Sequence, residues 1–176
     1  MISCSGREIH RYKGYGSMKI DTHQHFWCYD PSEYEWITDE MSFLKKDILP
    51  NDIEPILKQH GFDGAIAVQA RQIEYENAFL LNLSSQFSWI KGIIGWINLC
   101  DEVALERVGF YKESLVKGFR HLIQDERYPS QFFENKKFND GIKKIQNLGF
   151  LYELLFREKD LLAATMFCQR HDNNLL

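Results

Sequence analysis

From Met18 onward, short apolar runs alternate with longer amphipathic stretches, and this alternation limits the chain to few folds. The runs occupy residues 18–23, 65–68, 93–97, 119–122 and 150–156, each about the length of a strand. Between them, apolar residues recur at helical spacing: Ile53, Ile56 and Leu57, then Phe79, Leu80 and Leu83, then Phe138, Ile142, Ile145 and Leu148, and last Leu161, Leu162 and Met166. A further helix is expected over 101–111 with Asp101 as its N-cap, and the first helix should start near Asn51 or Asp52 with Pro55 in its first turn. Gly61 stands where the first helix should end. Gly64, Gly92, Gly118 and Gly149 each stand just before a strand, the punctuation of a helix turning into a parallel strand.

No hairpin turn signal joins one strand to the next, so the connections should be right-handed βαβ crossovers and the sheet parallel. Two architectures satisfy that pattern. About five βα units make a complete open, doubly wound domain, or five-eighths of a (β/α)8 barrel. The pattern alone leans slightly to the open sheet; the motifs below reverse that leaning.

Charge and composition exclude several functions. A net charge of −4 offers no basic face for nucleic acid and no polybasic membrane anchor. No apolar run approaches the roughly 20 residues that span a bilayer. Residues 1–17 carry Arg7, His10, Arg11 and Lys13 but no apolar segment, so they read as a disordered leader rather than a secretory signal, with Met18 as an alternative start. The folded domain is expected over 18–176. Cys4, Cys28, Cys100 and Cys168 form no CxxC pair and fit reduced thiols in a cytoplasmic protein.

The sharpest motif is His23-Gln24-His25 at the end of the first strand. Residues i and i+2 of a strand face the same side, so both imidazoles should leave the strand tip together, the arrangement a divalent metal such as Zn²⁺ needs. The following loop, 26–36, presents aromatic and acidic side chains, Trp27 among them, that suit a sugar-like ligand. Gln69 at the second strand end is a candidate for a sugar hydroxyl or a satisfied buried amide. On the fourth strand only one of the neighbours Arg120 and His121 can face inward, and Arg120 could instead pair with Asp125. Glu153, inside an apolar strand, needs either a partner or water.

The stretch Lys19-Ile20-Asp21-Thr22-His23-Gln24-His25-Phe26-Trp27 resembles the opening strand of the amidohydrolase-related metal-dependent hydrolases, nearest the branch of sugar-lactone hydrolases acting on L-fuconolactone and L-rhamnonolactone. Val68-Gln69-Ala70 resembles the second strand end of that branch. Residues 92–99 resemble the third, where Asn98 stands in place of the more usual Asp. Residues 117–126 resemble the fourth strand and its loop. The likeness runs from about Lys19 to Arg170.

The resemblance implies an incomplete parallel (β/α) barrel and a hydrolase that opens a sugar lactone by attack of water. The implied catalytic residues are His23, His25 and His121. The implied substrate contacts are Trp27, Gln69, Arg120, Gln124 and Asp125. His23 and His25 would hold one divalent metal, although some members of the wider family work without one. The later strands of the family supply a further histidine and an Asp that serves as general base, and nothing in this chain corresponds to them. Two other readings remain open: a non-catalytic remnant that binds a sugar acid or a metal, and an unrelated complete open α/β domain. A partial barrel would leave its first and fifth strands unpaired on one side, so self-association is expected.

Overall fold

A computed structural model of the chain describes residues 17–171, so the expected leader lies almost wholly outside the described residues. Five strands form one parallel sheet in the order of the sequence: β1 (Ile20–Gln24), β2 (Gly64–Val68), β3 (Ile90–Gly95), β4 (Val116–Leu122) and β5 (Leu151–Leu155). The helices that return the chain are α1 (Pro50–Gln59), α2 (Tyr75–Gln86), α3 (Glu102–Arg107), α4 (Pro129–Phe132), α5 (Lys136–Asn147) and α6 (Leu161–Arg170). Sequential strand order with a helix after each strand is the winding of a barrel. An open doubly wound sheet would reverse direction at a switch point. The fold is therefore a half-barrel, as the motifs implied. Among the described residues β1 and β5 each have one neighbouring strand only. No described helix is long and apolar enough to cross a membrane.

Local signals explain most boundaries. Asp101 caps α3, its carboxylate accepting from the Val103 N–H at 2.9 Å. Asn135 caps α5 by accepting from Lys137 and Phe138. Gly61 (φ 70°) and Gly149 (φ 87°) end α1 and α5 in the left-handed region, where a side chain would be strained. The first helix begins earlier than its caps suggested. Pro50 takes the first position, and Asp52 reaches back to accept from the Leu49 N–H at 2.9 Å.

The inward face of α6 differs from the expectation. Leu161, Leu162 and Met166 are exposed, and the buried stripe is instead Asp160, Ala164, Phe167 and His171. That set keeps the i, i+4, i+7 spacing but lies on another side of the helix, because Phe167 fits between Phe133, Phe138 and Tyr152. Ile56 of α1 is likewise half-exposed, while Leu57 is buried. The main core lies between the sheet's outer face and the helices. Phe119 and Tyr152, register partners on β4 and β5, meet Phe150 and Phe138 there in edge-on ring contacts at 5.3 and 5.7 Å. Trp27, Tyr34, Ile37 and Ala70 form a separate, smaller core under the loop that follows β1.

Candidate active site

A cavity of about 780 Å³ opens at the carboxyl ends of the strands, where barrel folds gather their chemistry. His23 and His25 line it. Asp21 accepts from the His23 N–H at 3.1 Å, and the pairing with β2 shifts between Asp21 and Gln24, so the strand is irregular where it delivers the two imidazoles. The rings meet nearly perpendicular with centroids 4.9 Å apart, and their Nε2 atoms lie 3.1 Å from each other.

The partners of these rings fix where the protons sit. His25 Nδ1 lies 2.9 Å from the Val68 carbonyl, which can only accept, so Nδ1 carries the proton. Burial, reinforced by the Arg120 charge, pushes the His25 pKa down to about 4, so the ring is neutral at pH 7 and its Nε2 is a bare lone pair. Arg120 Nη1 lies 3.0 Å from His23 Nε2 and can only donate, so that nitrogen is a lone pair as well. The other His23 nitrogen, Nδ1, is 3.6 Å from Glu153. The two Nε2 atoms thus converge at hydrogen-bond distance, and the Arg120 contact favours a lone pair on His23 to match the one on His25.

Arg120 organises the floor. It is buried, and it donates from Nη1 to Glu153 at 3.0 Å and from Nη2 to the Gln69 carbonyl at 2.8 Å. Arg120 and Glu153 are register partners across β4 and β5, so Glu153 faces the barrel interior. Burial draws the Arg120 pKa below its ordinary value, and the Glu153 carboxylate opposes that. The alternative Arg120–Asp125 pair does not form; Asp125 stands 3.9 Å from Arg157 instead.

His121 is not brought to the other histidines. Strand alternation turns it to the outer face as Arg120 turns inward. There its ring stacks on Phe132 at 4.9 Å, and its Nε2 is 2.7 Å from Glu126. Trp27 is also withdrawn: it is buried in the small loop core and donates from Nε1 to the Lys46 carbonyl. Trp36, nearly half exposed, supplies the aromatic wall that the loop promised. Gln124 and Asp125, in a 3-10 turn after β4, line the cavity as expected. Gln69 lies in the cavity floor, fully buried, and its side-chain amide has no hydrogen-bond partner among the described residues.

Arg71, Gln72 and Glu33 also line the cavity and were not singled out in the sequence. Arg71 follows directly on Val68-Gln69-Ala70, and its place just past a barrel strand's carboxyl end is the signal that could have found it.

No protein-family model matches the chain. It is 36% identical over 161 residues to an L-fucono-1,5-lactonase of Burkholderia multivorans, an alignment covering 92% of this chain and 54% of the relative. The solved structure of an amidohydrolase from Burkholderia multivorans with bound zinc superposes with a TM-score of 0.85 at 36% identity, over 89% of this chain and 55% of that one. In sequence and in fold the chain resembles the amidohydrolase-related family. A probable 2-pyrone-4,6-dicarboxylic acid hydrolase of Acinetobacter baumannii, with citric acid bound, shares the fold at a TM-score of 0.66 and 16% identity, over 89% of this chain and 55% of that one. The chain spans about half the length of the curated relatives it matches.

The family's divalent metal fits the donor set. Two imidazole lone pairs 3.1 Å apart have about the separation of two ligands on one tetrahedral ion with Zn–N bonds of roughly 2.0–2.1 Å. His23 and His25 would supply two of its ligands; among the described residues no cluster of three or more His, Cys, Asp or Glu side chains could hold a metal.

Proposed function

We propose that this chain carries the first-strand half of a lactonase site that opens a sugar lactone of the L-fucono-1,5-lactone class. The observation that carries this reading is the pair of His23 and His25 lone pairs converging at the mouth of the cavity. The name of the 36% identical relative supports the substrate class. In the reaction, water adds its oxygen to the lactone carbonyl carbon, the ring C–O bond breaks, and the departing ring oxygen takes up a proton to give a hydroxy acid.

A divalent metal held by His23 and His25 would act as a Lewis acid on the carbonyl oxygen. The chain's own residues prepare that position. The Val68 carbonyl fixes the His25 tautomer, and Arg120, braced by Glu153, orients His23 and adds positive charge where the oxyanion develops. Gln124 and Asp125 offer hydrogen bonds to ring hydroxyls from the rim, Trp36 offers an apolar face, and Gln69 supports the floor through its carbonyl. His121 acts from outside, packing β4 against α4 and α5.

In this reading the general base comes from barrel strands beyond the five described. The five described strands alone would then bind the lactone and open it about 10²–10⁴-fold more slowly than a complete site. The open edges of β1 and β5 favour association with a further strand-bearing copy or segment. Titrating the chain with the lactone while recording acid release tests this. Saturable binding with slow opening, both lost in His23→Ala/His25→Ala, is the expected result. Turnover matching a complete lactonase would refute the missing-base part, and absence of binding would refute the function.

A further inference from the structure

Arg71 has no role in the chemistry above, yet it lines the same cavity, and its surroundings are unusual. Its side chain is only 9% exposed and faces two carboxylates of different character. Glu76 is fully buried and paired on both oxygens: one accepts from the Ala70 N–H at 2.9 Å, the other from Arg71 Nε at 2.8 Å. That pair belongs to the fold, since separating it would leave a buried charge unpaired. Glu33 is 49% exposed, sits on the loop after β1, and meets Arg71 through Nη1 alone. The second terminal nitrogen, Nη2, has no hydrogen-bond partner among the described residues. The Tyr34 ring, 5.3 Å away, holds the guanidinium in place.

A guanidinium presents its two terminal nitrogens as a fork that matches a carboxylate with two parallel hydrogen bonds. Here one prong carries a replaceable surface carboxylate and the other carries nothing. Opening a neutral lactone creates a carboxylate at the carbon first held beside His23 and His25, and ring opening frees that end of the acid to turn across the same cavity toward Arg71. We propose that Arg71 is the carboxylate subsite for the open-chain sugar acid, and that Glu33 is an internal stand-in which the acid displaces. The lactone, being neutral, leaves Glu33 on Arg71. Product binding therefore releases the Glu33 side chain from Arg71, and substrate binding does not. This inference rests on the lactone reading and adds a residue that tells product from substrate.

The test is calorimetric titration of the full chain with two probes, L-fuconate and the neutral, non-hydrolysing L-fucono-1,5-lactam. Glu33→Gln removes the internal competitor at a half-exposed position. It should tighten fuconate binding by up to about fivefold, the worth of one exposed ion pair, and leave the lactam unchanged. Arg71→Lys keeps a charge for Glu76 but loses the fork. It should weaken fuconate at least about fivefold, again with the lactam unchanged. Unaltered fuconate affinity in Glu33→Gln, or an equal change for both probes, would overturn the proposal while leaving the lactone reading standing. If neither probe binds the parent chain, both fall.

Discussion

The two faces of β4 and β5 differ more sharply than any two regions of the molecule. On the outer face, Phe119 and Tyr152 are register partners within a dry aromatic core. One residue along, on the inner face, Arg120 and Glu153 are register partners in an ion pair that reaches His23. The outer pair is wholly removed from water and lowers the free energy of folding; the inner pair, with Arg120 buried and Glu153 partly so, contributes little net stability. Desolvating an Arg and a carboxylate costs about as much as their attraction returns. The comparison teaches that a half-barrel divides its work by strand parity: odd and even residues of one strand serve stability and chemistry separately.

The largest effect should come from the outer face. Phe119→Ala should cost about 3–5 kcal/mol in denaturant unfolding, because it opens a cavity among Phe150, Tyr111 and the sheet. Next, Arg120→Met leaves Glu153 unpaired and should cost about 3 kcal/mol. Arg120→Met/Glu153→Leu should recover most of that loss and still fail to bind the lactone. A double variant that stays as unstable as the single one would break the comparison, since the pair would then be structural.

His121→Ala sharpens the same contrast at smaller scale. It removes the contact with Glu126 and the stack on Phe132, which should cost about 1 kcal/mol, and ligand affinity should not move. A fall in affinity would return His121 to the site.

The smallest effect is a pH dependence at the far end of the outer core. His171 is buried against Phe167, beside Asn139, with Lys143 and Arg170 nearby, and burial lowers its pKa, the two cations adding to the shift. A histidine whose folded pKa is depressed stabilises the fold above its ordinary value near 6.5, and that contribution is lost as pH falls below it. Thermal unfolding followed from pH 7 to 5 should show a steeper loss for the parent than for His171→Gln. Parallel profiles would contradict the assignment.

Much of this was legible in the sequence, and the failures share a cause. The strand and helix order and the two glycine-ended helices followed from period and punctuation. The His23–His25 pair followed because i and i+2 share a face, a rule that survived the irregularity in β1. Parity also said that Arg120 and His121 must part, but not which one faces in; that depends on the register with β5, where Glu153 waits for a cation. Leu161, Leu162 and Met166 misled because hydrophobicity alone does not orient a helix, whereas the fit of Phe167 among three aromatic rings does. Trp27 and Trp36 lie in one loop, and only the small core under it decides which is covered. Arg71 escaped notice because its partners, Glu33 and Glu76, flank it at very different sequence distances.

The central claim is that the cavity face of the sheet carries the chemistry through the two β1 imidazoles. Calorimetric titration of the L-fucono-1,5-lactam into the parent chain, His121→Ala and His23→Ala/His25→Ala tests it most directly. Equal affinity in the first two and no detectable binding in the third is the predicted outcome; undiminished binding by the double variant would contradict it.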